Sequence, residues 1–174
     1  HIPFCAIKCN YCDFYSITEK EGLIPRFIKA LCNEIEECTI DTSEWKFNTI
    51  FFGGGTPSLI KAKEIEKILL SIDNKFGLEN IEEFTLEANP GEAPKTRLKQ
   101  LKNLGINRLS IGVQSMQKKL LKFLTRTHSQ KDIYRVFDNA RSTGFENINC
   151  DLIYSIPGQT REMWLNDLKT IIKL

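Results

Sequence analysis

Asn107-Arg108-Leu109-Ser110-Ile111-Gly112-Val113-Gln114-Ser115 is the stretch that decides the fold. Leu109, Ile111 and Val113 alternate with Ser110, Gly112 and Gln114. Successive side chains of a strand point to opposite faces, so this segment has one apolar face and one polar face. The apolar face belongs under helices. The polar face, with Gln114 at its end, belongs to a site. Three other segments read as strands: Thr49-Ile50-Phe51-Phe52, Phe84-Thr85-Leu86-Glu87-Ala88 and Asn149-Cys150-Asp151-Leu152-Ile153-Tyr154.

Helical periodicity lies between them. Ile24, Phe27, Ile28, Leu31 and Ile35 recur on one helical face, as do Ile65, Ile68, Leu69, Ile72 and Phe76. Ile133, Val136, Phe137 and Ala140 form a third face, and Leu165, Leu168 and Ile172 a fourth. A shorter helix, Thr96 to Leu104, stops at Gly105, a residue suited to the position after a helix end. Strands alternating with helices make βαβ units, a parallel sheet and right-handed crossovers. With a fifth strand expected ahead of His1, the count still falls short of an eight-fold barrel, which takes about 250 residues. The pattern fits an open doubly wound sheet or an incomplete barrel. Both place the ligand site at the C-terminal ends of the strands. The polar residues obey that rule. Gly53-Gly54-Gly55-Thr56 ends the first strand, Glu87 the second and Gln114 the third, and Asp151 lies in the fourth.

Composition narrows the function classes. In 174 residues, 41% are hydrophobic and 26% charged, enough for a core and against disorder. Lys plus Arg is 24 and Asp plus Glu 22, a net charge of +2, which argues against a non-specific nucleic-acid footprint. No run is apolar and long enough for a transmembrane helix, and no signal peptide is visible. The sequence opens at His1 without Met, and its last amphipathic segment, Glu162 to Leu174, runs to the final residue. It reads as a fragment of a longer protein.

Three of the six cysteines, Cys5, Cys9 and Cys12, crowd into a C-x3-C-x2-C loop rich in aromatic residues. Cys32 and Cys38 fall on the first helical stripe and read as buried free thiols. The pattern is that of a reduced, cytoplasmic protein with one soft-metal cluster near its start. A structural zinc site needs four closed ligands, which His1 could complete, with Cys150 a distant candidate. Three thiolates also suit a [4Fe-4S] cluster with one iron left open.

The C-x3-C-x2-C motif, with Tyr11 before the last cysteine, resembles the signature of radical S-adenosylmethionine (SAM) proteins. His1-Ile2-Pro3-Phe4-Cys5, Phe52-Gly53-Gly54-Gly55-Thr56-Pro57-Ser58, Leu86-Glu87-Ala88-Asn89-Pro90, the Asn107–Ser115 stretch and Asp151-Leu152-Ile153-Tyr154-Ser155-Ile156-Pro157-Gly158-Gln159-Thr160 extend the likeness to the oxygen-independent coproporphyrinogen III oxidase family. These blocks run from end to end of the chain. The resemblance implies an α/β fold, a partial (β/α)6 barrel incomplete at both ends, with residues 1–174 as a truncated radical SAM core domain. It implies two cofactors, a [4Fe-4S] cluster and S-adenosyl-L-methionine, and reductive cleavage of the sulfonium C–S bond to a 5′-deoxyadenosyl radical.

The resemblance also implies roles. Cys5, Cys9 and Cys12 ligate iron. Tyr11 lies near the adenine. Gly54, Gly55 and Thr56 form the turn that meets the cofactor's methionyl amino group. Glu87 and Gln114 hydrogen-bond the cofactor, Arg126 pairs with its carboxylate, Asp151 accepts from its ribose side and Ile153 packs on the adenosyl group. His128 is read as a surface residue, and Lys118, Lys119 and Lys122 as a solvated helix face.

The family has a branch that converts coproporphyrinogen III and a branch that binds heme and delivers it. Cys12-Asp13-Phe14 resembles the heme-chaperone branch, because the oxidase branch usually has a cysteine where Phe14 stands. The expected partners are SAM, heme or coproporphyrinogen III, a flavodoxin- or ferredoxin-like electron donor and a heme-acceptor protein. The alternatives are an oxygen-independent coproporphyrinogen III dehydrogenase and, in another class, a zinc-stabilised α/β binding module.

Overall fold

The computed structural model describes residues 1–174. Four strands, β1 (Thr49–Phe52), β2 (Glu83–Ala88), β3 (Arg108–Gln114) and β4 (Asn147–Leu152), form one sheet. Every pairing is parallel, and the spatial order is β1-β2-β3-β4. Each crossover therefore steps onto the next strand in the same sense. A doubly wound sheet reverses at a switch point, and this one does not. The chain is an arc of a β/α barrel, the second of the two architectures that the element order allowed.

The helices are α1 (Ile24–Glu37), α2 (Ala62–Phe76), α3 (Lys95–Asn103), α4 (Lys118–Phe123), α5 (Gln130–Ser142) and α6 (Arg161–Ile171). α1 packs on α2, α2 on α3 and α3 on α5, a continuous row over one face of the sheet. A single cluster of 23 buried apolar residues fills the space between. Leu109, Ile111 and Val113 of β3 are fully buried in it, as the alternation requires. Local chemistry sets the ends. Ser129 and Asp132 form a reciprocal capping box at the start of α5, and Thr160 accepts from the backbone N–H of Met163 at the start of α6. No helix is long and apolar enough to cross a membrane.

Three sequence expectations shift. β4 begins at Asn147 and ends at Leu152, so Ile153 and Tyr154 lie beyond it. The cause is a bulge in β3 between Gly112 and Gln114, which pairs Gln114 with Leu152 and ends the regular ladder. α1 ends at Glu37, and Cys38, in extended backbone, is its C-cap. Cys32 and Cys38 are free thiols, as expected, but both are half-buried.

Candidate functional site

The residues before Cys5 run alongside the turn that follows β1. The backbone N–H of Ile2 donates to Gly53 (2.7 Å), that of Gly55 to Ile2 (2.6 Å) and that of Thr56 to Phe4 (2.7 Å). On the other side, Ile17 donates to Pro3 (2.8 Å) and Cys5 to Ile17 (3.0 Å). Backbone pairing thus fastens the base of the cysteine loop to the glycine turn. Only glycine fits there. A Cβ on Gly55 would lie 2.7 Å from the Phe4 carbonyl oxygen and 3.0 Å from Cys5 Sγ. Gly54 has φ +117°, a backbone that other residues rarely adopt.

Above this floor a cavity of about 550 Å3 opens at the C-terminal ends of the strands. That volume lies within the range of small-molecule and cofactor sites. Cys5, Cys9 and Cys12 line it, together with Tyr11, Gly54, Gly55, Thr56, Glu87, Gln114, Arg126, Asp151 and Ile153. Every residue expected at the site therefore reaches one cavity, although they come from positions 5 to 153.

Four polar groups shape the walls. The Glu87 Oε2 accepts from the Gly54 N–H at 3.0 Å. Burial, helped by the Asp151 charge, raises its carboxyl above the usual range, against the pull of that N–H. Asp151 accepts from the Ser110 hydroxyl (3.2 Å) and from Asn149 Nδ2 (2.7 Å). Gln114 sits at φ +66°, and its carbonyl accepts from the Ile153 N–H at 3.0 Å. Arg126 Nη2 donates to the Gly112 carbonyl (2.7 Å) and to Asn89 Oδ1, while Nη1 lies 3.8 Å from Cys9 Sγ.

The donor set suits the group that the cysteine motif implies. All six cysteines are free thiols, and the three of the loop face the cavity half-buried. Soft thiolates are the ligands of iron–sulfur clusters. The two candidates for a fourth zinc ligand are otherwise engaged. The His1 ring bonds the Tyr15 carbonyl at 2.9 Å, and Cys150 packs against the core from β4.

His128 corrects an expectation. It is buried, with Nε2 3.1 Å from the Val113 carbonyl. That carbonyl lies at the irregular end of β3, where it also accepts from the Ser115 N–H at 2.8 Å. Burial first, then the nearby Arg126 charge, pushes His128 down to about 4. Lys118, Lys119 and Lys122 do lie on the exposed face of α4.

Two residues escaped sequence reasoning. Asn89 lines the cavity and binds Thr56, Glu92 and Arg126. Asp167 on α6 is fully buried and accepts from Ser115, Met116 and Gln117 in the turn after β3. Asn89 stood inside a recognised motif without a role. Asp167 carried no local signal, because its partners lie about 50 residues away in sequence.

Comparison with known proteins bears on this geometry. The Radical SAM superfamily profile matches residues 1–171. The chain is 41% identical to the heme chaperone HemW of Lactococcus lactis over 174 residues, covering 100% of this chain and 45% of that protein. It is 36% identical to the heme chaperone HemW of Escherichia coli, covering 100% of this chain and 46% of that one. Among solved structures, coproporphyrinogen III oxidase (HemN) from Escherichia coli, described as a radical SAM enzyme, superposes with a TM-score of 0.86 at 29% identity. That match covers 99% of this chain and 40% of the oxidase. The chain spans about half the length of the curated relatives it matches.

Proposed function

The chain belongs to the Radical SAM superfamily, and from that membership we propose that it forms the cluster- and SAM-binding part of a heme chaperone. The observation that carries this reading is the gathering of Cys5, Cys9 and Cys12 with Gly54, Thr56, Glu87, Arg126 and Asp151 on one cavity. When bound, the reduced cluster supplies the electron that breaks a C–S bond of the SAM sulfonium.

The chain's own residues bind, orient and shield. Cys5, Cys9 and Cys12 hold the cluster. Gly54, Gly55 and Thr56 bring backbone close enough to meet the methionyl amino group, with the Glu87 carboxyl beside them. Arg126 presents the fixed positive charge of its guanidinium to the methionyl carboxylate. Gln114 and Asp151 bond polar groups toward the nucleoside, and Tyr11 and Ile153 cover its base. The apolar residues beneath keep water from the far side of the sheet.

The identity of 36–41% to proteins named heme chaperone supports the delivery role, as does Phe14 following Cys12-Asp13. The proposal includes heme as cargo, an acceptor protein, an electron donor of flavodoxin or ferredoxin type and a cytoplasmic location. One observation favours a second reading, coproporphyrinogen III dehydrogenase: the close superposition on the oxidase structure. The full-length protein separates the two. A heme chaperone binds heme in an absorbance titration and leaves coproporphyrinogen III unchanged under reducing conditions with SAM. Turnover of the porphyrinogen would overturn the chaperone reading.

A further inference from the structure

Asn89 makes no hydrogen bond to Cys5 or Cys9 but bonds a neighbour of each. Its Nδ2 lies 2.9 Å from Glu92 Oε2 and 3.0 Å from Thr56 Oγ1, and its Oδ1 accepts from Arg126 Nη2. These neighbours fix the amide in one orientation. A carboxylate only accepts and a guanidinium only donates, so Nδ2 faces Glu92 and Oδ1 faces Arg126. Thr56 Oγ1 must then accept from Nδ2. Its single O–H is left to point elsewhere, and Cys5 Sγ lies 3.6 Å away. On the other side, Asn89 and the Gly112 carbonyl together hold Arg126 Nη2, which sets the guanidinium plane. That plane brings Nη1 within 3.8 Å of Cys9 Sγ.

We infer that Asn89 is a positioning residue that aims one hydroxyl and one guanidinium N–H at the sulfurs of Cys5 and Cys9, and so sets the reduction potential of the cluster they hold. The inference rests on the cluster assignment above. Reduction adds negative charge to a cluster and its thiolates. Hydrogen bonds to sulfur stabilise the reduced state more than the oxidised one, and they raise the potential. Thr56 also faces the cavity in its own right, so Asn89 links cluster tuning to the SAM turn.

The test is a redox titration of the cluster in the reconstituted full-length protein, followed by electron paramagnetic resonance. Asn89→Ala and Thr56→Val should each shift the midpoint to more negative potential at wild-type iron content. Thr56→Ser keeps the hydroxyl and should hold the midpoint near wild type. In a Thr56→Val background, Asn89→Ala should shift it by less than it does alone, because part of its action passes through Thr56. An Asn89→Ala protein with full iron and an unmoved midpoint, or fully additive shifts, would overturn the inference. If Asn89→Ala loads no iron, the Thr56 pair decides: an unmoved midpoint in Thr56→Val overturns it. Absence of any four-iron signal in the wild type would instead overturn the cluster assignment itself.

Discussion

Asp167 on the last helix and Ser115 just beyond the third strand are joined in the protein interior by a hydrogen bond of 2.6 Å. The same carboxylate oxygen accepts the backbone N–H of Met116 (3.1 Å), and its other oxygen accepts from Gln117 Nε2 (2.8 Å). Three donors satisfy both oxygens of this buried carboxylate, and the turn it braces directly follows Gln114. Asp167→Ala leaves those donors without a partner in a dry site. A loss of about 3 kcal/mol of folding stability is expected by chemical denaturation, with Asp167→Asn losing less because it still accepts. Equal losses for both variants would mean that packing, and not the hydrogen bonds, holds the turn.

Arg126 gives a prediction on affinity. The Gly112 carbonyl and Asn89 hold its guanidinium rigidly at the cavity. Arg126→Ala should weaken SAM binding to the cluster-loaded protein by about 1.5–3 kcal/mol, the range for a hydrogen bond to a charged group. Calorimetric titration reads this directly. Unchanged affinity would remove Arg126 from the carboxylate-binding role.

His128 gives a prediction on pH. Its pKa is lowered in the folded protein, to about 4 from an ordinary value of 6.5. As pH falls below about 6.5 the unfolded chain takes up a proton that the folded chain refuses, so stability declines until about pH 4. Between pH 7 and pH 5 the cluster-free wild type should lose about 2 kcal/mol from this group. His128→Gln, which keeps a donor for the Val113 carbonyl, should flatten that slope in urea titrations at the two pH values. An identical slope in the variant would assign the pH dependence to other groups.

The cysteines divide by environment. Cys9 faces the cavity, whereas Cys150 is packed in β4, where burial pushes its thiol up to about 12. Cys9→Ala should abolish cluster loading, since the proposed site offers only three thiolates. Cys150→Ala should reconstitute with wild-type iron and sulfide. Full iron in Cys9→Ala, or none in Cys150→Ala, would reverse the ligand assignment.

Much of this was legible in the chain because it rests on short-range patterns. The period-two alternation of Leu109, Ile111 and Val113 against Ser110, Gly112 and Gln114 marked the core face and the cavity face of β3. The C-x3-C-x2-C spacing and the glycine turn marked the floor of the cavity. What sequence reasoning missed depends on distant partners. His128 stands in a polar stretch, and its hydrogen-bond partner, the Val113 carbonyl, lies 15 residues earlier at the irregular end of β3. Asn89 gains its role from Thr56 and Arg126, 33 and 37 residues away in sequence. Cys38 continued a helical stripe, yet the helix stopped one residue earlier. Periodicity reports a face and not an end.

The most direct test of the central claim is electron paramagnetic resonance of the anaerobically reconstituted, dithionite-reduced full-length protein, with and without SAM. The account predicts a [4Fe-4S]+ signal that changes when SAM is added, because one iron is left for the cofactor. Stoichiometric zinc with no cluster signal, or a cluster signal indifferent to SAM, would contradict it.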